Sequence, residues 1–221
     1  MANFNLFKAN LLEAEGGYQK NPTDWRGNTN SQGVLVGTNR GISAPQYEEW
    51  IKRVPTEQDM QNITKAEALQ IYKKIYWNKL VKATQINSQA IAETLTDMVI
   101  NAKSKGGKIM QQTLNNSFGF HLVEDNIIGN KTIKAINKVS EKKLFEAYTT
   151  ARNTYYENVK TWDYDLYKTY IKGWKRRVAK LYDKHINTVV DTIKNNPKSS
   201  FGLFFLIAAV LIYSKSKKDK K

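Results

Sequence analysis

Leu11-Leu12-Glu13-Ala14-Glu15-Gly16-Gly17-Tyr18, then Asp24, then Gly37-Thr38-Asn39-Arg40-Gly41-Ile42 is the stretch from which the rest of the chain is read. Upstream of it, Phe4, Phe7 and Leu11 recur at intervals of three and four, with polar residues between. That spacing predicts a short amphipathic helix over residues 4–15, stopped by Gly16-Gly17. It is a helix face and not a continuous apolar run, so the N-terminus does not read as a signal peptide. Glu15 then stands at the negative end of the helix dipole, where an ionised carboxylate is disfavoured. A glutamate kept protonated can donate to a leaving oxygen, as glycosidic cleavage requires. Asp24 lies nine residues on in a polar loop. It is expected to stay ionised and to activate water or stabilise an oxocarbenium-like centre, with the Thr38 hydroxyl holding that water. The same residues also fit a solvated helix end, a turn cap and a hairpin position.

Working outward, residues 18–42 are rich in Gly, Asn and Thr and read as loop with a small hairpin, Val34-Leu35-Val36 being the strand candidate. Ser43-Ala-Pro-Gln46 and Thr64-Lys-Ala-Glu67 are capping-box patterns that open helices. Apolar spacing predicts a helix over 87–105 ended by Gly106-Gly107, then helices near 108–117, over 131–139 and from Ser140 onward, and a long last helix reaching Asn195. The fold class is therefore mainly α, with a small β-hairpin or loop region.

After the break at 196–200, residues 201–213 carry no charge, and 214–221 carry five lysines and one aspartate. This reads as a C-terminal transmembrane helix over 201–214 with a basic tail at 215–221. The lysines would stay on the cytoplasm-like side of a phage virion membrane or a bacterial inner membrane. Thirteen residues of helix extend about 20 Å, short of the roughly 30 Å hydrocarbon core, so the reading relies on snorkelling lysines and local thinning.

The net charge of +15 suits an anionic partner: nucleic acid, anionic lipid or cell wall. With no cysteine and only His121 and His185, thiolate chemistry is excluded and imidazole chemistry poorly supplied. Carboxylates remain as the main catalytic candidates, and their chemistry calls for no metal and no organic cofactor. Nucleic-acid binding is the weaker reading, because the lysines are spread over most of the chain.

The Glu15-Gly-Gly-Tyr18 run, Asp24 and the Gly-Thr-Asn-x-Gly-Ile run together resemble the N-terminal signature of glycoside hydrolase family 108, lysozyme-like N-acetylmuramidases of phages and bacteria. Tyr76-Trp77, Asp97-Met-Val-Ile-Asn101 and Gln111-Gln112-x-Leu114 continue the resemblance. Asp125-Asn-x-Ile-Gly129-x-Lys-Thr132 is similar to the "D-G-x-x-G-x-x-T" turn of the family's peptidoglycan-binding portion, and Arg152 with Tyr155-Tyr156 and Gly173-Trp174-x-x-Arg177-Val178 to its closing motifs. The resemblance implies a muramidase portion over 1–96, a helical peptidoglycan-binding portion over 97–195 and a linker over 196–200. It implies that Glu15 is the essential acid. By analogy with related phage lysozymes, Asp24 and Thr38 join it. Tyr18, Trp25 and Asn39 are the expected substrate contacts, the rings stacking on sugar faces. Two departures stand out: Asp24-Trp-Arg-Gly27 replaces the family's Asp-Pro-Gly-Gly, and about residues 28–36 are extra, with Thr29 an alternative to Thr38. The expected activity is hydrolysis of the β-1,4 bond between N-acetylmuramic acid and N-acetylglucosamine, with peptidoglycan strands and, through the tail, a lipid membrane as partners. A lytic transglycosylase and an inactive membrane-anchored wall protein are the alternatives.

Overall fold

The computed structural model of the protein describes residues 1–14, 16–102 and 105–195. Met1–Val178 is one compact unit, and the second begins at Ala179. Helix α1 (Phe4–Ala14) buries Phe4, Phe7 and Leu11. Trp77, fully buried, is the surface they meet: its ring stacks on Phe7 at 5.5 Å and meets Phe4 edge-on at 5.6 Å. The start of α1 is tied down by Ala2 N–H to the Ile86 carbonyl (3.0 Å) and by a two-way exchange between Asn3 and Gln89.

After the short helix α2 (Trp25–Asn28) come α3 (Ala44–Ile51), α4 (Glu57–Gln61) and α5 (Lys65–Ile71). The chain leaves α5 directly into a π-helix, Tyr72–Leu80, closed by Val81 N–H on the Tyr76 carbonyl at 2.9 Å. Ser43 precedes α3 but makes no side-chain cap bond; Gln46 turns inward instead and donates to the Tyr76 hydroxyl at 2.8 Å. Thr64 does cap α5, accepting from Glu67 N–H at 3.1 Å.

Helices α6 (Gln89–Asn101), α7 (Gly106–Phe118) and α9 (Glu141–Asn158) pack on one another, with α8 (Asn130–Lys138) beside α7. The long α10 runs Tyr164–Asn195. Gly106-Gly107 does not end the preceding helix as expected but begins α7, because both sites are close approaches. A Cβ on Gly107 would lie 2.4 Å from the Asn126 carbonyl oxygen, and one on Gly106 2.7 Å from a Val99 methyl.

The centre of this unit is an ion cluster. Asp97 on α6 accepts from Arg152 on α9 at 2.5 Å and from Arg177 on α10 at 2.8 Å. Arg152, wholly buried, also donates to the Thr94 hydroxyl at 2.6 Å. Burial alone would push the Asp97 carboxyl up; Arg177 and Arg152 more than reverse this and hold it below the usual range.

The β-structure is smaller than the hairpin expected. Among the described residues it is three isolated bridges, Gln19 with Thr38, Thr29 with Leu35 and Asn39 with Ile42, so Val34-Leu35-Val36 forms no strand. The membrane helix is also corrected. No helix among the described residues is long and apolar enough to cross a membrane. Residues 201–214, where it was expected, lie outside the described residues, and a run of that length falls short of a bilayer core. With it goes the expected anchoring at a phage virion membrane or a bacterial inner membrane.

Candidate active site

Residues 18–20, 24–28 and 37–42 and helix α4 are joined to one another by hydrogen bonds. Residues 18–20 pair with the segment at 38, Gln19 and Thr38 exchanging both backbone hydrogen bonds at 2.8 Å. A tight turn follows: Asn39 and Ile42 bond to each other while Arg40 (φ 49°) and Gly41 (φ 71°) both take left-handed backbone. Two successive positive φ values make this a mirror-image hairpin turn, which is what the Asn-x-Gly-Ile spelling encodes. Tyr72 donates its hydroxyl to the Arg40 carbonyl at 2.9 Å and locks the turn to the π-helix.

Asp24 ends a 3-10 turn, Pro22–Asp24, and caps α2. Its carboxylate accepts from Gly27 N–H at 3.4 Å, and its carbonyl accepts from the Asn28 amide at 2.8 Å. A Cβ on Gly27 would lie 2.9 Å from Asp24 Oδ2, so glycine there lets the carboxylate lie against the loop. Thr38, nearly buried, donates its hydroxyl to the Gly27 carbonyl at 3.1 Å. Asp24, Gly27 and Thr38 thus form one connected unit.

Tyr18 lies across Gly37: a Cβ there would meet the ring at 2.5 Å and the Gln19 carbonyl oxygen at 2.7 Å, and its φ is +91°. The Tyr18 hydroxyl sits 2.9 Å from Glu57 Oε1 and 3.2 Å from the Val36 carbonyl. Lys20 pairs with the same glutamate at 2.6 Å. Burial first and Glu57 second push the Tyr18 phenol up, while Lys20 and Tyr18 hold the Glu57 carboxyl down. Asn39 is buried and donates to the carbonyls of Met60 (2.8 Å) and Gln61 (3.0 Å), which fixes the turn on the end of α4. Trp25 opens α2, but its side chain, like the whole of Glu15, lies outside the described residues. Beside them, Gly16 and Gly17 are exposed, and a Cβ on either would meet nothing within 4 Å.

The extra residues 28–36 have their own scaffold. Asn30 accepts from Gln32 N–H (3.1 Å) and Val34 N–H (3.0 Å) and donates to the Pro55 carbonyl (3.0 Å). Ser31 bonds Glu48 of α3 through both its N–H and its hydroxyl. Thr29 is half-buried and paired through its backbone with Leu35.

Two site elements escaped sequence reasoning. One is α4, which carries Glu57; Thr56-Glu-Gln-Asp59 is a full capping box, with Asp59 in the third position where glutamate is the usual signal. The other is Tyr170 of α10, whose phenol is pushed up by burial first and then by the Asp24 carboxylate. Nothing in the local sequence of α10 points to Asp24.

Farther on, Gln111 donates to Asp125 Oδ1 (2.7 Å) and the Ile127 carbonyl (3.1 Å) and accepts from Asn126 N–H (2.9 Å). The two motifs therefore form one turn. Asn126 has φ 69° at the position where the resembled motif has glycine, a backbone that asparagine tolerates better than most residues.

Compared with known proteins, residues 8–102 match the family described as glycosyl hydrolase 108, and residues 105–179 the predicted peptidoglycan domain. No curated protein matches the chain. The solved structure of Brucella abortus SagA is similar in fold, with a TM-score of 0.66 at 22% identity over 83% of this chain and 94% of that one.

Proposed function

We propose that this chain, whose residues 8–102 match the family described as glycosyl hydrolase 108 and whose residues 105–179 match the predicted peptidoglycan domain, is a glycoside hydrolase of peptidoglycan that cuts the β-1,4 bond between N-acetylmuramic acid and N-acetylglucosamine. The observation that carries this reading is the Asp24–Gly27–Thr38 unit, which lies inside the hydrolase match and beside the open Gly16-Gly17 segment. Glu15 acts as the acid and protonates the leaving oxygen. The Asp24 carboxylate takes the proton of the water that attacks the anomeric carbon. The Thr38 proton is spent on the Gly27 carbonyl, so its oxygen accepts from the attacking water. Tyr18 and Trp25 act as the aromatic contacts for the sugar rings, and Asn39 holds the turn that presents Thr38.

The test is mass spectrometry of fragments released from purified peptidoglycan by the full chain and by Glu15→Gln. Products with a reducing-end muramic acid, absent with the variant, are expected. Anhydro-muramic ends would make the enzyme a lytic transglycosylase. No release by the unaltered chain would sink the proposal.

A further inference from the structure

Asn28 stands at the base of the loop over residues 28–36 and is wholly buried. Its backbone carbonyl accepts from Val36 N–H at 2.8 Å and from Gly37 N–H at 2.9 Å, where the loop returns. Its side-chain amide donates to the Asp24 carbonyl at 2.8 Å, on the segment that leads into the loop. The Gly27 carbonyl, one residue before, accepts the Thr38 hydroxyl at 3.1 Å. Asp24 on one side and Thr38 on the other are therefore tied to two consecutive residues, Gly27 and Asn28.

The same amide has an unpartnered end. Asn28 Oδ1 is buried and accepts no hydrogen bond. A buried acceptor left unpaired costs the fold its full desolvation penalty, which an apolar side chain of similar shape would avoid. Such a group calls for a reason other than stability, and the donor half of the amide supplies one. The Asp24 carboxylate accepts from Gly27 N–H at the long distance of 3.4 Å, so its place depends on the backbone that carries it. Trp25 follows Asp24, so no proline ring fixes the chain there. The bond from Asn28 Nδ2 is the restraint on that backbone.

We propose that Asn28 is a positioning residue of the hydrolase: it sets the Asp24 backbone against Thr38, clamps the 28–36 loop at the same point, and is kept at a cost in stability. Being enclosed, it touches no substrate and acts through Asp24. The proposal rests on the role given to Asp24 above.

Asn28→Leu removes the donor and the unpaired oxygen together at similar volume. Asn28→Asp keeps the shape and, when ionised, cannot donate. Both are made in the full chain, alone and combined with Asp24→Asn, and followed by urea unfolding and by fragment release from purified sacculi. Asn28→Leu is expected to unfold at or above the midpoint of the unaltered chain and to lower kcat about tenfold or more with KM unchanged. Asn28→Asp should lower kcat as much, at a lower midpoint. In the Asp24→Asn background neither change should lower kcat further, because the group they misplace is already gone. Full kcat in Asn28→Leu, or a loss that simply adds to that of Asp24→Asn, overturns the proposal. So does a lowered midpoint in Asn28→Leu, or the failure of both variants to fold, since either makes Asn28 a residue of the fold alone. An Asp24→Asn variant that keeps its kcat would instead sink the role of Asp24, and this proposal with it.

Discussion

Gly27 and Gly37 are both crowded, but by different neighbours, and substitution separates their roles. At Gly37 a methyl group collides with the Tyr18 ring and with backbone, on a φ of +91°. Neither obstacle is the loose end of a side chain. Gly37→Ala is expected to cost about 2–4 kcal/mol of stability, from strain and overpacking together, read as a lower denaturation midpoint. At Gly27 the colliding atoms belong to the Asp24 carboxylate, which can swing aside at little cost to the fold. Gly27→Ala should therefore hold stability within about 1 kcal/mol while lowering kcat about 10- to 100-fold by misplacing the carboxylate. A variant that loses stability but keeps kcat would show that Asp24 has no part in the chemistry.

Among elements, α4 is the one to which Tyr18, Lys20 and Asn39 are tied and which hydrophobic spacing does not reveal. It spans only Glu57–Gln61, too short to show a repeating apolar face, and is held by its ends. Thr56 accepts from Asp59 N–H at 3.1 Å, Asp59 accepts from Thr56 N–H at 2.8 Å, and Arg53 grips Asp59 at 2.6 and 2.7 Å. Arg53 first, and then Thr56, hold the Asp59 carboxyl well below the ordinary carboxylate range. Thr56→Ala should cost about 1 kcal/mol and loosen Glu57, and with it the Tyr18 hydroxyl. The check is a paired measurement of urea midpoint and KM on sacculi; a shifted midpoint with no change in KM would detach α4 from substrate binding. Longer helices were legible because their spacing and their packing agree. Phe4, Phe7 and Leu11 in α1, and Ile91, Leu95 and Met98 in α6, are all buried. Gly106-Gly107 misled because a glycine pair that ends a helix and one that admits a neighbouring backbone are spelled alike; only the approach of Asn126 tells them apart. The Asp24 carboxylate that helps raise the Tyr170 phenol was illegible for a related reason: it lies far away along the chain, and no local pattern records it.

At the scale of the whole molecule, the motif residues Asp97, Arg152 and Arg177 could be picked out one by one in the sequence but not their meeting. Together they bind the hydrolase match to the peptidoglycan-domain match through one buried carboxylate. Cutting one partner from a buried ion cluster leaves uncompensated charge, so Asp97→Asn is expected to destabilise residues 1–178 as a whole by about 3–5 kcal/mol at pH 7. The penalty has a defined pH dependence. The folded-state pKa of Asp97 is depressed by Arg177 and Arg152, and an unfolded aspartate titrates near about 3.9. Its stabilisation is thus fully present above that value and drains away as pH falls through the folded pKa. Guanidinium unfolding of the two proteins from pH 7 down to pH 2 should show a constant gap above about pH 5. Below about pH 4 the gap should narrow, as the wild-type carboxyl takes up a proton and comes to resemble the amide. A gap that stays equally wide throughout would mean that Asp97 stabilises the fold by shape and hydrogen bonding alone, without its charge.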